Sequence, residues 1–384
     1  MTNLFDQVID RRKTDSLKWS RYPGDVLPLW VADMDFPAPP EAIQAIQERL
    51  AHPIFGYAVE DEELIDTIVQ WLENRYGWQV QAEMIRLMPG VVTGLNWTAH
   101  ALLDKGERYA IQTPVYGPFF DIADHVNVQR VEIPLTEKSN RYEIDFEAFE
   151  QQIRQDVRLF VLCNPHNPVG RAFTREELTT LGQICKAHGV LICSDEIHCD
   201  LVYPGRRHTP IASLDAEIAQ RTITIMAPSK TFNIPGLHVS FAVIPDPDLR
   251  IKMDAGRSGL VGKPGILSCA AAKACYQHGT QWLNELTAYL ERNRNMVFQF
   301  ASEVLPGIRM NLPEATFLAW LDCRALNLET EPSEFFLKEA RVAMNAGSWF
   351  GANGTGYVRL NFGCPQSVLE EALERMRLAL KKTE

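Results

Sequence analysis

The chain has eight cysteines, but no two of them form a CxxC pair and none stands at the spacing from histidine that a zinc site needs. Cys163, Cys185, Cys193, Cys199, Cys269, Cys275, Cys323 and Cys364 are scattered through apolar stretches and read as reduced, buried thiols of a cytoplasmic protein. Runs of positive charge are also missing. With a formal net charge of -11 and no basic stripe, the chain lacks the surface that nucleic acid requires. No apolar run approaches the roughly 18 residues of a membrane span. The first residues, "MTNLFDQVIDRRKTDSLKW", carry early acids and no apolar stretch after Arg11 and Arg12, which is not the pattern of a signal peptide. Repeats, low-complexity tracts and Gly/Ser linkers are absent as well, so domain boundaries must fall within helices or tight turns.

What remains is an ordinary globular composition, 46% hydrophobic and 23% charged over 384 residues, long enough for a large domain and a smaller one. From about residue 84 the chain alternates short apolar runs with helical-period segments, the pattern of βαβ units around a mostly parallel sheet. "MIRLMPG" reads as a strand entering a turn and "VVTGLNWTAHALLD" as the helix after it. "RLFVLCNP" (158–165), "VLICSDEIH" (190–198) and "TITIMAPSK" (222–230) read as buried strands, each too uniformly apolar to be half exposed. "FTREELTTLGQICKAHG" is a helix with Thr174 as N-cap, Glu177 closing a capping box and Gly189 as its stop. The last hundred residues change character: a long helix near 281–304, strands "TFLAWLDC" and "GYVRLNFG", then an amphipathic helix from about 366. The expected division is a large domain over 46–280, a small α/β domain over 281–384, and an N-terminal segment, 1–45, packing with the small one.

Three successive strand ends carry polar groups: Asn164 and Asn167, then Asp195, Glu196 and His198, then Ser229 and Lys230. In open parallel sheets ligands bind outside the carboxyl ends of strands, so these residues are expected to face one crevice. A further strand ends in Pro89 and Gly90 and runs into a helix, whose free N–H groups and dipole suit an anion. The lysine is the pivotal residue. In a loop it would keep an ammonium in water; desolvated at the edge of a core, its pKa falls and it becomes a nucleophile. Cys199 beside His198 does not read as a nucleophile with its base, because neighbours on a strand point to opposite faces. Glu196 points away from Asp195 for the same reason.

"NPHNPVG", "SDEIH" and "APSKTF", in that order, resemble the fold type I enzymes dependent on pyridoxal 5'-phosphate, the aspartate aminotransferase superfamily. "LWVADMDFPAPP", "FGY" and "TPVYGPFF" make the chain similar to the MalY/PatB-type cystathionine β-lyase branch of the class I/II aminotransferases. The similarity runs from about residue 25 to the last strand. It implies that Lys230 bonds to the cofactor and moves the α proton, that Asp195 pairs with the pyridine nitrogen, and that Asn167 and His198 hydrogen-bond its phenolate oxygen. Tyr116 would stack on the ring. Backbone N–H groups of Val91 and Val92, with Thr93 and Ser229, would hold the phosphate. Tyr57 would reach the phosphate of a neighbouring subunit, which implies a homodimer with shared sites. Arg359 would grip the substrate α-carboxylate through its planar fork, with Asn167 and Tyr116 beside it.

One departure stands eight residues after the lysine, where many class I/II aminotransferases have a phosphate-binding arginine and this chain has His238. The resemblance implies β-elimination from cystathionine or related S-substituted cysteines, giving a thiol, pyruvate and ammonia. Transfer of the amino group to a 2-oxo acid shares the early steps, and a regulatory protein of the MalY kind, retaining lyase activity, is the third reading.

Overall fold

The computed structural model describes residues 3–138, 141–257 and 259–382. Seven strands form its main sheet: β1 Ile85–Met88, β2 Arg108–Thr113, β3 Gln129–Pro134, β4 Val157–Cys163, β5 Leu191–Asp195, β6 Thr222–Met226 and β7 Ser240–Val243. Their spatial order is β1-β7-β6-β5-β4-β2-β3, and only β7 runs antiparallel to its neighbours. The chain therefore leaves β1, β2, β4, β5 and β6 at one common edge.

Burial on both faces follows from alternation along each strand. In β4, Leu159, Val161 and Cys163 enter one apolar cluster while Phe160 and Leu162 enter another on the opposite side. The helix Arg175–Ala187 begins with the expected capping box between Thr174 and Glu177, and Gly189 follows it at φ 68°. All eight cysteines are unpaired thiols. Among the described residues no helix is long and apolar enough to cross a membrane.

Two strand ends differ from the sequence reading. β5 stops at Asp195, so Glu196 to Asp200 form a turn, and β6 stops at Met226, with Ser229 and Lys230 on a single helical turn, Pro228–Thr231. Proline explains the second: Pro228 lacks an N–H for the ladder, and its fixed φ suits the first position of a helix. Strand alternation thus does not separate His198 from Cys199. What disarms Cys199 is burial, which pushes its thiol pKa far up, with the charge of Asp200 adding to it. The short antiparallel β7 has no counterpart in the sequence reading.

Beyond the helix Thr280–Glu303, a second sheet forms from β8 Arg309–Met310, β9 Leu318–Asp322, β10 Asn345–Ala346 and β11 Tyr357–Asn361, in the order β8-β9-β11-β10. The N-terminal segment touches both halves. Leu27–Pro28 pairs in parallel with Val342–Ala343. A few residues on, Asn361 Nδ2 donates to the carbonyls of Val31 and Asp33, while Asn233 Nδ2, close to Lys230 in the chain, donates to those of Met34 and Phe36.

That strap is fixed by a buried carboxylate. Asp35 accepts from Lys18 Nζ at 2.7 Å, Arg11 Nη1 at 2.6 Å and Trp19 Nε1 at 2.8 Å, and Lys18 is itself wholly buried. Burial alone would raise the Asp35 pKa; the two cations and the indole more than offset it and lower it. Removing the charge leaves the buried Lys18 with only the longer 3.8 Å contact to Asp33 and Arg11 with Asp33 alone at 2.8 Å, so Asp35→Asn should cost about 3 kcal/mol of stability, read as a lower midpoint in denaturant unfolding.

Candidate active site

Five chain segments leave the main sheet at its common edge, and each delivers part of the set singled out in the sequence. After β1, Gly90 at φ 150° turns the chain into the helix Val91–Leu102, which has no side-chain cap. Its first closing bond runs from Gly94 N–H to the Gly90 carbonyl, so the N–H groups of Val91, Val92 and Thr93 lack the usual intrahelical acceptor. Val92 and Thr93 also line a separate cleft of about 460 Å3 with His125 and Leu260, while Thr93 Oγ1 stays close to Gly90 at the start of the helix.

Lys230 lines a cleft of about 610 Å3 together with Trp30, Ala32, Tyr116, Trp349 and Arg359. Its Nζ donates to the Ala32 carbonyl at 2.5 Å, and among the described residues no carboxylate lies within ion-pair distance. Burial lowers its pKa to about 8; Asp33 and Asp195 pull it up and Arg359 pushes it down. Near neutrality this amine gives up its proton far more readily than a surface lysine.

Asp195 shows the opposite imbalance. It is buried at the end of β5, accepts from the Ile197 N–H at 3.1 Å, and has no cation at ion-pair distance among the described residues. Desolvation raises its pKa to about 7, against the pull of the Ile197 hydrogen bond and of Lys230. Glu196 faces elsewhere: it accepts from Ser194 Oγ and the Ile211 N–H and pairs with His208 Nε2 at 2.7 Å, a closed structural network.

Arg359 sits mid-strand in β11, only 2% exposed, directly opposite Asn345 and Trp320 on the flanking strands. Nη2 donates to Asn345 Oδ1 at 2.7 Å and to the Trp30 carbonyl at 2.8 Å; Nη1 donates to Asn167 Oδ1 at 3.1 Å; Nε has no partner. Every partner is a neutral oxygen. Burial accordingly lowers even this guanidinium to about 10.

His198 is buried with Nδ1 unpartnered and packs against Phe317, ring centroids 5.7 Å apart. Burial, then the charges of Lys230 and Arg359, drives its pKa well below the usual value and keeps the ring neutral. Tyr116 meets Trp349 edge-on at 5.4 Å, and its hydroxyl pKa is raised by burial. Ser229 is buried beside the lysine. Asn164 spends its Oδ1 on the Phe173 N–H and leaves Nδ2 without a partner.

Two residues lie apart. His238 is exposed, at φ 48° in a turn. Tyr57 is fully exposed on the coil before helix Glu62–Tyr76, with Ile54, Phe55 and Val59 exposed around it. The sequence reading overlooked Asn345 and the Trp30 and Ala32 carbonyls. A strand residue opposite Arg359 could have been found only by pairing β10 with β11, and a carbonyl leaves no mark in residue type.

The model of aminotransferase class I and II matches residues 24–376. Cystathionine beta-lyase PatB of Bacillus subtilis is 42% identical over 98% of this chain and 99% of its own length, and Protein MalY of Escherichia coli is 29% identical over 98% of each. Among solved structures, cystalysin from Treponema denticola, which contains a pyridoxal 5'-phosphate cofactor, superposes with a TM-score of 0.97 at 35% identity over the whole of both chains. A match that runs from Gly24 through β11 into the last helix takes in the sheet edge with Lys230 and Asp195, the strap at Trp30 and Ala32, and Arg359, and the chain belongs to the class I and II aminotransferase family.

Proposed function

We propose that this chain is a pyridoxal 5'-phosphate-dependent carbon–sulfur lyase that cleaves L-cystathionine or related S-substituted cysteines by α,β-elimination, giving a thiol, pyruvate and ammonia. One observation carries the reading: three buried or half-buried ionisable groups, Lys230, Asp195 and Arg359, converge, each hydrogen-bonded to neutral atoms and each with its pKa displaced by burial toward its neutral form.

The residues fit the cofactor. The uncapped helix start at Gly90 suits its phosphate, through the N–H groups of Val91 and Val92 with Thr93 and Ser229 beside them. Asp195 would meet the ring nitrogen and hold a proton there, while Asn167 and the neutral His198 would hydrogen-bond the phenolate oxygen. Tyr116 offers a face for stacking. When bound, the cofactor supplies an aldehyde that captures amines and a ring that takes up the electrons of the broken Cα–H bond. Lys230 would hold it through Nζ and, once displaced by the substrate amine, would take the proton from Cα. Arg359 would bind the α-carboxylate; its orientation is set by Trp30, Asn167 and Asn345 before the substrate arrives.

The names of PatB and cystalysin's cofactor support this reading. On it, residues 46–280 form the cofactor domain and 281–384 the small one, with 1–45 bridging toward both, and Tyr57 with its apolar neighbours serves an interface with a second copy of the chain.

Purified protein given L-cystathionine and no 2-oxo acid should release pyruvate, ammonia and homocysteine together; turnover that waits for a 2-oxo acid would mark an aminotransferase instead. Lys230→Ala should abolish the yellow absorbance and lower kcat by about 10³-fold or more. Arg359→Lys, which keeps charge and loses the fork, should lower kcat/KM by about 10- to 100-fold, mostly through KM. For Asp195, the folded pKa of about 7 lies above the ordinary value of roughly 4, so the cofactor-free protein loses stability as pH rises from about 4 through 7. Asp195→Asn should therefore raise its melting temperature at pH 8, by a margin that shrinks toward pH 4 in paired thermal melts.

A further inference from the structure

The outer part of the Lys230 cleft carries two charges that none of the roles above uses. Arg21 follows the short helix Leu17–Ser20, and Glu334 lies in the first turn of the helix Pro332–Phe335; both line the same cleft as Lys230 and Arg359. Both are exposed, and among the described residues neither side chain makes a hydrogen bond or an ion pair. The walls near them are mostly apolar, with Leu17, Tyr22, Leu337 and Met344 lining the cleft.

Their chemistry bears on the leaving group. An S-alkyl cysteine ends in hydrocarbon beyond its sulfur and gains nothing from a charged side chain there. A thioether whose other half is itself an amino acid ends in a carboxylate and an ammonium on one carbon. Such an end needs an apolar passage for its methylenes, then one cation and one anion that the protein has not already neutralised against each other. A protein-internal ion pair at this place would have to be broken by each incoming substrate; Arg21 and Glu334 carry no such cost.

Resting on the lyase reading, we propose that Arg21 and Glu334 form the subsite for the distal amino-acid group of the substrate, Arg21 taking its carboxylate and Glu334 its ammonium, and that they select thioethers with a zwitterionic leaving half. They are specificity residues. Chemistry at Cα stays with Lys230, so their loss should act on binding.

The experiment measures pyruvate release by the holoenzyme from L-cystathionine and from S-ethyl-L-cysteine. In Arg21→Gln and in Glu334→Gln the ratio of kcat/KM for cystathionine to that for S-ethyl-L-cysteine should fall about three- to tenfold, chiefly through a higher KM for cystathionine. Arg21→Lys should recover part of the ratio and Arg21→Glu should depress it further. A ratio that stays at the wild-type value in both neutral variants overturns the subsite, as does an equal loss on both substrates. If wild-type holoenzyme cleaves neither thioether, the lyase reading itself fails, a result distinct from either of these.

Discussion

Two backbone carbonyls, those of Trp30 and Ala32, let a guanidinium and an amine share one cleft. Arg359 and Lys230 repel each other, and each lowers the tendency of its neighbourhood to hold positive charge. A carboxylate between them would relieve that repulsion, and it would also compete with any anion that the cleft is to bind. Neutral oxygens orient both groups and leave their charge uncancelled. The strap that supplies the carbonyls must then be held rigidly from outside, which is what the buried Asp35 and its partners Lys18, Arg11 and Trp19 do on one side and Asn361 and Asn233 on the other. The electrostatic imbalance inside the cleft thus depends on a well-balanced ionic cluster a few residues away.

The same division of labour recurs along the edge of the sheet. Asp195 and Glu196 are adjacent and both buried, yet Glu196 is satisfied by Ser194, Ile211 and His208 while Asp195 has one backbone N–H and a pKa near 7. Burial without a partner is costly for a carboxylate, and the surrounding packing has to bear that cost. The two apolar clusters fed by alternate residues of β4 and β5 supply packing that offsets it.

Much of this was legible in the residues. Lysine, aspartate and asparagine at the ends of strands too apolar to be exposed are conspicuous, because such ends open on a crevice in a parallel sheet and polar residues there need a reason. Arg359 was legible for the same reason, an arginine inside "YVRLNFG". What the residues could not convey is where strands stop when a proline allows one helical turn, as at Pro228, or that a four-residue strand such as β7 would enter antiparallel. Nor could they reveal support by backbone atoms. Asn345 acquires its meaning only from lying across the ladder from Arg359, a register set by the whole small sheet.

The geometry also bears on why one set of inner residues can serve more than one outcome. On the proposed reading Lys230, Asp195 and Arg359 would act on the amino, ring and carboxylate ends of the reacting unit, and all three would serve the removal of a proton from Cα whatever happens next. The fate of that electron pair would then be decided farther out, by whether the group on Cβ is held where its bond to carbon can break. In this chain the outer wall is built from the strap at Leu17–Trp30 and from the helix and strand around Glu334 and Met344, elements contributed by the two ends of the sequence rather than by the main sheet. On that reading reaction type and substrate choice would be carried by segments that can change without disturbing the sheet edge, and the sheet edge could stay constant while the chemistry at Cβ diverges.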